Sequence, residues 1–138
     1  GSTITAGVSG LPVVLPAQVA GYTGGALCQS ALPAGSLTGK VVVCTRGGNG
    51  RIAKGYNASL GGASGMILLN ATERGTMTDN HFVPTVHLDS PNDDVLAFLA
   101  ANPGATATWA AGAPATVRGD VMAGLLDVLH ISQPPRTD

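Results

Sequence analysis

Residues 39–55 read GKVVVCTRGGNGRIAKG, and how their glycines are understood decides the fold. Lys40–Cys44 is a continuous β-branched run, as expected of a strand buried on both faces. A glycine-rich turn follows. Arg51–Leu60 then places Ile52, Tyr56 and Leu60 at intervals of four, one apolar stripe of a short helix. Gly61-Gly62 offers that helix a stop, and Gly65–Asn70 reads as a second buried strand. Strand, glycine turn, helix and strand in this order suit a dinucleotide-binding fragment, with Gly48-x-Gly50-x-x-Ala53 as the phosphate loop. Glu73 lies about twenty residues further on, where such a fold keeps its ribose-binding acid. Three features oppose that reading. Arg46, Arg51 and Lys54 crowd a turn that should work through backbone N–H groups. Cys44 closes the strand and has a potential partner upstream. Too few strand–helix units remain for a second nucleotide-binding half. The Gly-Lys-Ser/Thr phosphate loop is absent.

Upstream, Leu11–Pro16 is apolar but bracketed by prolines, which fits an edge strand at best. Gly21–Gly39 reads as loop. Downstream, a polar loop over 71–80 leads to Phe82–Leu88, expected as a third central strand. Ser90 can cap a helix over 91–101, with Pro91 in its first turn and Asp93 completing a capping box. Val95, Leu96, Phe98 and Leu99 would form its apolar face. Ala105–Ala110 alternates as a half-exposed strand does, and Thr116–Ala123 suggests one more.

The chain has 138 residues, 44% of them apolar and 11% charged, with a formal net charge of −1. It is expected to form one domain with a real core. The thin charge gives no case for nucleic acid or an anionic membrane surface, and no apolar run is long enough to span a bilayer. Twenty glycines and nine prolines point to short strands and many turns. Gly1-Ser2 looks like the scar of an expression tag. Two cysteines, Cys28 and Cys44, are too few for a zinc site; one disulfide and two buried thiols both fit them.

The run ALCQSALPAGSLTGKVVVCTRGGNGRIAKGYNASLGGASGMILLN, then HFVPTVHLD, then NPGATATW, resembles the protease-associated (PA) domain of subtilisin-like serine proteases. The resemblance covers roughly residues 15–123. It implies an α+β swivelling β/β/α fold, a distorted sandwich or barrel flanked by short helices, with a Cys28–Cys44 disulfide. It also implies that the glycines serve backbone geometry, with Arg46 and Arg51 bonded to nearby carbonyls or carboxylates. The domain would span 3–123, and the tail 124–138 departs from the family as a vector-derived extension would.

The three histidines, His81, His87 and His130, lack a nucleophile and base arranged around them in the sequence. Asp93-Asp94 is explained by the helix dipole. No catalytic residue, metal or cofactor is therefore assigned. By the resemblance, the chain is a non-catalytic, extracellular module of a secreted subtilase. It would shape substrate access or bind peptide or protein, with the parent's catalytic domain as a partner. A metallo-aminopeptidase or sorting receptor is the alternative parent. Loops held by a rigid sheet are where binding concentrates, so the rim of 46–51 and 71–81 is the expected surface. Its residues are Arg46, Asn49, Arg51, Asn80 and His81. Sequons at Asn57 and Asn70 fall in a helix and at a strand end, and are expected to be coincidental.

Overall fold

The computed structural model describes residues 6–72, 75–77, 79–89 and 92–112. Its strands are β1 (Val8–Val14), β2 (Val41–Thr45), β3 (Gly65–Leu69), β4 (Thr85–Leu88) and β5 (Thr106–Trp109), with helices α1 (Arg51–Leu60) and α2 (Asn92–Ala101). They form one mixed sheet in the order β4-β3-β2-β1-β5. The first four run parallel; β5 is antiparallel to β1. The sheet curls into a half-barrel with two short helices, the α+β class expected.

The β-branched run of β2 explains why it lies mid-sheet. Val42 and Cys44 face one core with Met66 and Leu68 of β3, Ala58 of α1 and Leu32 and Leu37 of the long loop. Val41 and Val43 face the other core with Ile67, Leu69, Val13, and Leu99 of α2. Every residue of β3 is buried. A strand buried on both faces needs apolar side chains at consecutive positions, which is the pattern both strands carry.

Residues 11–16 were expected at an edge, but β1 lies between β2 and β5. The prolines are accommodated because β1 changes partners along its length. Pro12 pairs with Thr106 of β5, and pairing with β2 starts only at Val13↔Val41, so the missing Pro12 N–H falls outside the parallel ladder. A bulge near Gly10 (φ +62°) re-aims the start of the strand. Pro16 opens a 3-10 turn, Pro16–Gln18, rather than ending a strand. At the other side, among the described strands, β4 lies at the edge rather than in the centre, and it begins only at Thr85. Residues 82–84 bend instead, and Pro84 spends its carbonyl on the Met66 N–H at 2.8 Å.

Helix α1 has the expected bounds but the opposite orientation. Lys54, Gly55 and Ala58 are buried, while Ile52, Tyr56 and Leu60 are 41%, 47% and 44% exposed. In α2, Leu99 enters the core with Val95 and Leu96 against it, whereas Phe98 points out. The capping role of Ser90, the strand over 116–123, Glu73, His130, Gly1-Ser2 and the tail 124–138 all lie outside the described residues. The start of β1 and the end of β5 lie side by side: Val8 pairs with Trp109, whose indole N–H donates to the Ala6 carbonyl at 3.3 Å.

Candidate functional site: the rim at the strand ends

Four residues each follow the last residue of a parallel strand: Leu15 after β1, Arg46 after β2, Asn70 after β3 and Asp89 after β4. They therefore gather at one end of the sheet, the carboxyl end, where open parallel sheets place their ligands.

The glycine turn lies at this end and is not a phosphate cradle. A cradle presents N–H groups to an anion. Here the turn presents oxygen atoms to a cation: Lys54 Nζ donates to the Gly47 carbonyl (2.7 Å), Asn49 Oδ1 (2.5 Å) and the Leu27 carbonyl (2.5 Å). Lys54 is fully buried, and burial lowers its ammonium to about 8, so it stays charged at neutral pH. Asn49 also donates to the Cys28 carbonyl at 3.2 Å, as Asn57 does at 2.8 Å. The glycines are needed for shape. Gly48 has φ +76°, and a Cβ there would sit 2.2 Å from the Gln29 amide. Cys28 and Cys44 are joined in a disulfide, Cα–Cα 5.6 Å, which ties the same loop to β2.

Above the turn, Arg51 grips Asp79 with two hydrogen bonds, 2.6 and 3.1 Å. The pair reinforces itself: each partner holds the other charged, lowering the Asp79 carboxyl and raising the Arg51 guanidinium. His81 Nε2 lies 3.8 Å from Asp79, with the side chain only 6% exposed, and burial pushes its imidazole toward the neutral form. Asp79 and Asp89 are thus both engaged by protein donors, since Asp89 accepts from Gly75 N–H (2.7 Å) and Asn70 Nδ2 (2.8 Å).

Asn70 is the centre of a second, buried network. Its Oδ1 accepts from His87 Nε2 at 2.6 Å and from Arg46 at 3.4 Å, and its Nδ2 also donates to the Gly75 carbonyl at 2.9 Å. His87 Nδ1 accepts the Met77 N–H at 3.0 Å, so both ring nitrogens are committed and the imidazole is neutral. At the ends of β1 and β2, an apolar pocket of about 180 Å³ is lined by Leu15, Pro16, Tyr22, Val43, Thr45 and Leu96.

The family model described as the PA domain matches residues 8–96. The chain belongs to the PA domain family. This PA domain is similar to parts of curated Arabidopsis thaliana proteins. It is 37% identical over 97 residues to subtilisin-like protease SBT1.4, covering 68% of this chain and 12% of that protein. Subtilisin-like protease SBT1.6 is 33% identical over 96 residues, 67% of this chain and 12% of its own length. Subtilisin-like protease SBT5.6 is 41% identical over 75 residues, 53% and 9% respectively. The PA domain thus spans only about an eighth of the first two relatives.

Of the rim residues expected from sequence, the PA domain brings Arg51 and His81 together around Asp79, with Asn80 exposed between them. Arg46 belongs instead to the Asn70 network, and Asn49 is turned inward onto Lys54. Lys54, Asn70 and Asp89 were not singled out as site residues. A signal existed for Lys54, which shares a helix face with Gly55 and Ala58. A face of small residues is one that packs close, and a lysine there must bury its stem. The sequons are not presented to solvent as acceptors: Asn70 is buried with Nδ2 bonded twice, and Asn57 Nδ2 is bonded to Cys28.

A pH dependence follows from His87. Burial holds it below the ordinary 6.5, opposed by the Met77 carbonyl 3.4 Å from Nδ1, which the protonated ring could bond; Arg46 and Arg51 push the same way as burial and Asp79 pushes back. A histidine neutral in the fold and free to charge when unfolded means that the unfolded chain binds more protons on acidification. The His87 contribution should be flat from pH 8 to 7 and fall as pH drops below about 6.5, while Lys54, lowered to about 8, adds a separate rise in stability above pH 7. Urea midpoints at half-unit pH steps measure this, and His87→Gln should flatten the slope. His81, shifted in the same direction, leaves a residual slope in that variant.

Proposed function

We propose that this PA domain is a non-catalytic accessory module of a secreted, subtilisin-like serine endopeptidase, and that it controls how polypeptide substrates reach or bind the enzyme. The observation that carries the reading is the composition of the carboxyl end of the sheet. It carries a polar rim of Arg51, Asp79, Asn80 and His81 and, at the ends of β1 and β2, an apolar pocket lined by Leu15, Tyr22, Val43 and Leu96. Donors and acceptors at the same end of the sheet as an uncharged pocket suit a peptide backbone with an apolar side chain. The similarity to subtilisin-like proteases supplies the parent. Arg46 and Asn49 act in this reading by holding the rim in shape. Extracellular location belongs to the same proposal and agrees with the disulfide. Among the described residues no helix is long and apolar enough to cross a membrane.

The test is a parent enzyme in which the segment equivalent to 3–123 is replaced by a short linker. A module acting on binding and orientation should change kcat/KM unevenly across substrates. A small chromogenic peptide should be cleaved within about twofold of the parent rate, and an intact protein at least tenfold differently, a difference of about 1.4 kcal/mol. Equal changes for both substrates reject the reading.

A further inference from the structure

The outward face of α1 is the feature least explained by the rim. Ile52, Tyr56 and Leu60 form one row along the helix, and Phe82, 61% exposed, extends the row sideways with its ring edge-on to Tyr56 at 5.2 Å. A solvent-facing helix side normally carries charge. The only charged residues of α1 are Arg51, spent on Asp79, and Lys54, buried beneath the turn. The outward side is therefore apolar and uncharged, and removing it from water sacrifices no ion hydration. Contiguous apolar surface of this kind marks an interaction site.

We infer that this row is where the PA domain docks against the protease domain of its own polypeptide, on an apolar, uncharged face of that domain. The inference rests on the proposed function for the identity of the parent. Two observations favour this occupant. The matched relatives are about eight times longer than the matched segment, so most of such a chain lies outside the domain. And the row runs toward the sheet end at which β1 begins and β5 ends. Leu60 ends α1 a few residues before Gly65, and a Cβ on Gly65 would lie 3.1 Å from the Trp109 indole, beside Ala6. The tip of α1 that carries Ile52 lies at the rim, so one docked helix would connect the host surface to the substrate-facing loops.

Hydroxyl-radical footprinting of Tyr56 and Phe82 tests this, in the 138-residue chain and in the full-length parent. In the 138-residue chain both should be labelled freely. In the parent without substrate, labelling should fall at least fivefold, independent of protein concentration. Unchanged labelling overturns the inference. So does protection that appears only with a polypeptide substrate, or only as concentration rises, because the occupant is then substrate or a second copy. Tyr56→Glu supplies the second arm. It should leave the melting temperature of the 138-residue chain within a degree or two, since the site is exposed, and in the parent it should restore Phe82 labelling. A parent in which Phe82 stays protected overturns docking through this row. None of these readouts uses substrate turnover, so they stand or fall separately from the kcat/KM comparison.

Discussion

Lys54→Met is expected to destabilise the domain by about 3 kcal/mol, although it removes no ion pair formed with any described residue. The ammonium supplies a hydrogen bond to each of three oxygens: Leu27 O, Gly47 O and Asn49 Oδ1. Methionine fills the stem's volume but donates nothing. Gly47 O keeps the Asn49 N–H at 2.9 Å, but Leu27 O and Asn49 Oδ1 lose a donor in a half-buried site, and each unsatisfied acceptor costs about 1–3 kcal/mol. Relaxation of the glycine turn toward water returns part of that, which sets the estimate near the lower end of the sum. In a domain of this size the melting temperature should fall by roughly 10 °C. A fall under about 2 °C would mean that these two oxygens find other donors, and that Lys54 does not organise the turn. The helix itself should survive, because methionine and lysine have similar helix propensities.

Removing the Cys28–Cys44 bond should cost a similar amount by a different route. The cysteines are 16 positions apart in sequence, and a closed loop of that length contributes about 3 kcal/mol through the unfolded chain's entropy. Both cysteines are fully buried, so Cys28→Ala/Cys44→Ala is a cleaner variant than one with serines. Its urea midpoint should fall by about 1–2 M. Dithiothreitol should shift the parent chain by a comparable amount and leave the double variant unmoved. Cys28 also has φ +52°, a left-handed conformation that costs a non-glycine residue about 1–2 kcal/mol. The loop is held there by the disulfide, by two asparagine amides on the Cys28 carbonyl and by Lys54 on the adjacent Leu27 carbonyl. Two restraints on adjacent residues are not independent. The combined variant Lys54→Met/Cys28→Ala/Cys44→Ala should therefore depart from the sum of its parts by more than 0.5 kcal/mol.

The strands that are buried on both faces were legible because burial dictates their residues one by one. Val41–Cys44 and Gly65–Leu69 have no polar position at which to misread the register. Helix α1 was legible in extent and illegible in orientation. Periodicity reports that Ile52, Tyr56 and Leu60 share a side, and nothing in the period says whether that side meets this domain's core or another surface. The proline-bracketed β1 was placed at an edge because the sequence does not reveal that a strand can change partners at Pro12. The rim was named from its loops alone, and the sequence does not show that Arg46 and Asn49 bond inward within it. Their bonding partners, Asn70 and Lys54, lie 24 and 5 positions away, and only the folded sheet brings the first pair together.

The pairing of Val8 with Trp109 has a consequence for any chain that carries this domain between two of its own segments. Left unfolded, an insert of about a hundred residues would oblige its host to close a long, floppy loop. Once β1 and β5 zip together, Val8 and Trp109 lie one strand spacing apart, about 5 Å, and a host joined directly at these two residues would have its ends held together. The host then closes what is effectively a connection of a few residues. Loop closure costs about 0.6 kcal/mol for each doubling in length, so shortening the effective loop by four doublings spares the host roughly 2.4 kcal/mol. The antiparallel β1–β5 pair is thus a clasp. It makes the domain portable, able to enter a surface turn of an unrelated scaffold without prising it open, provided that the insert folds first.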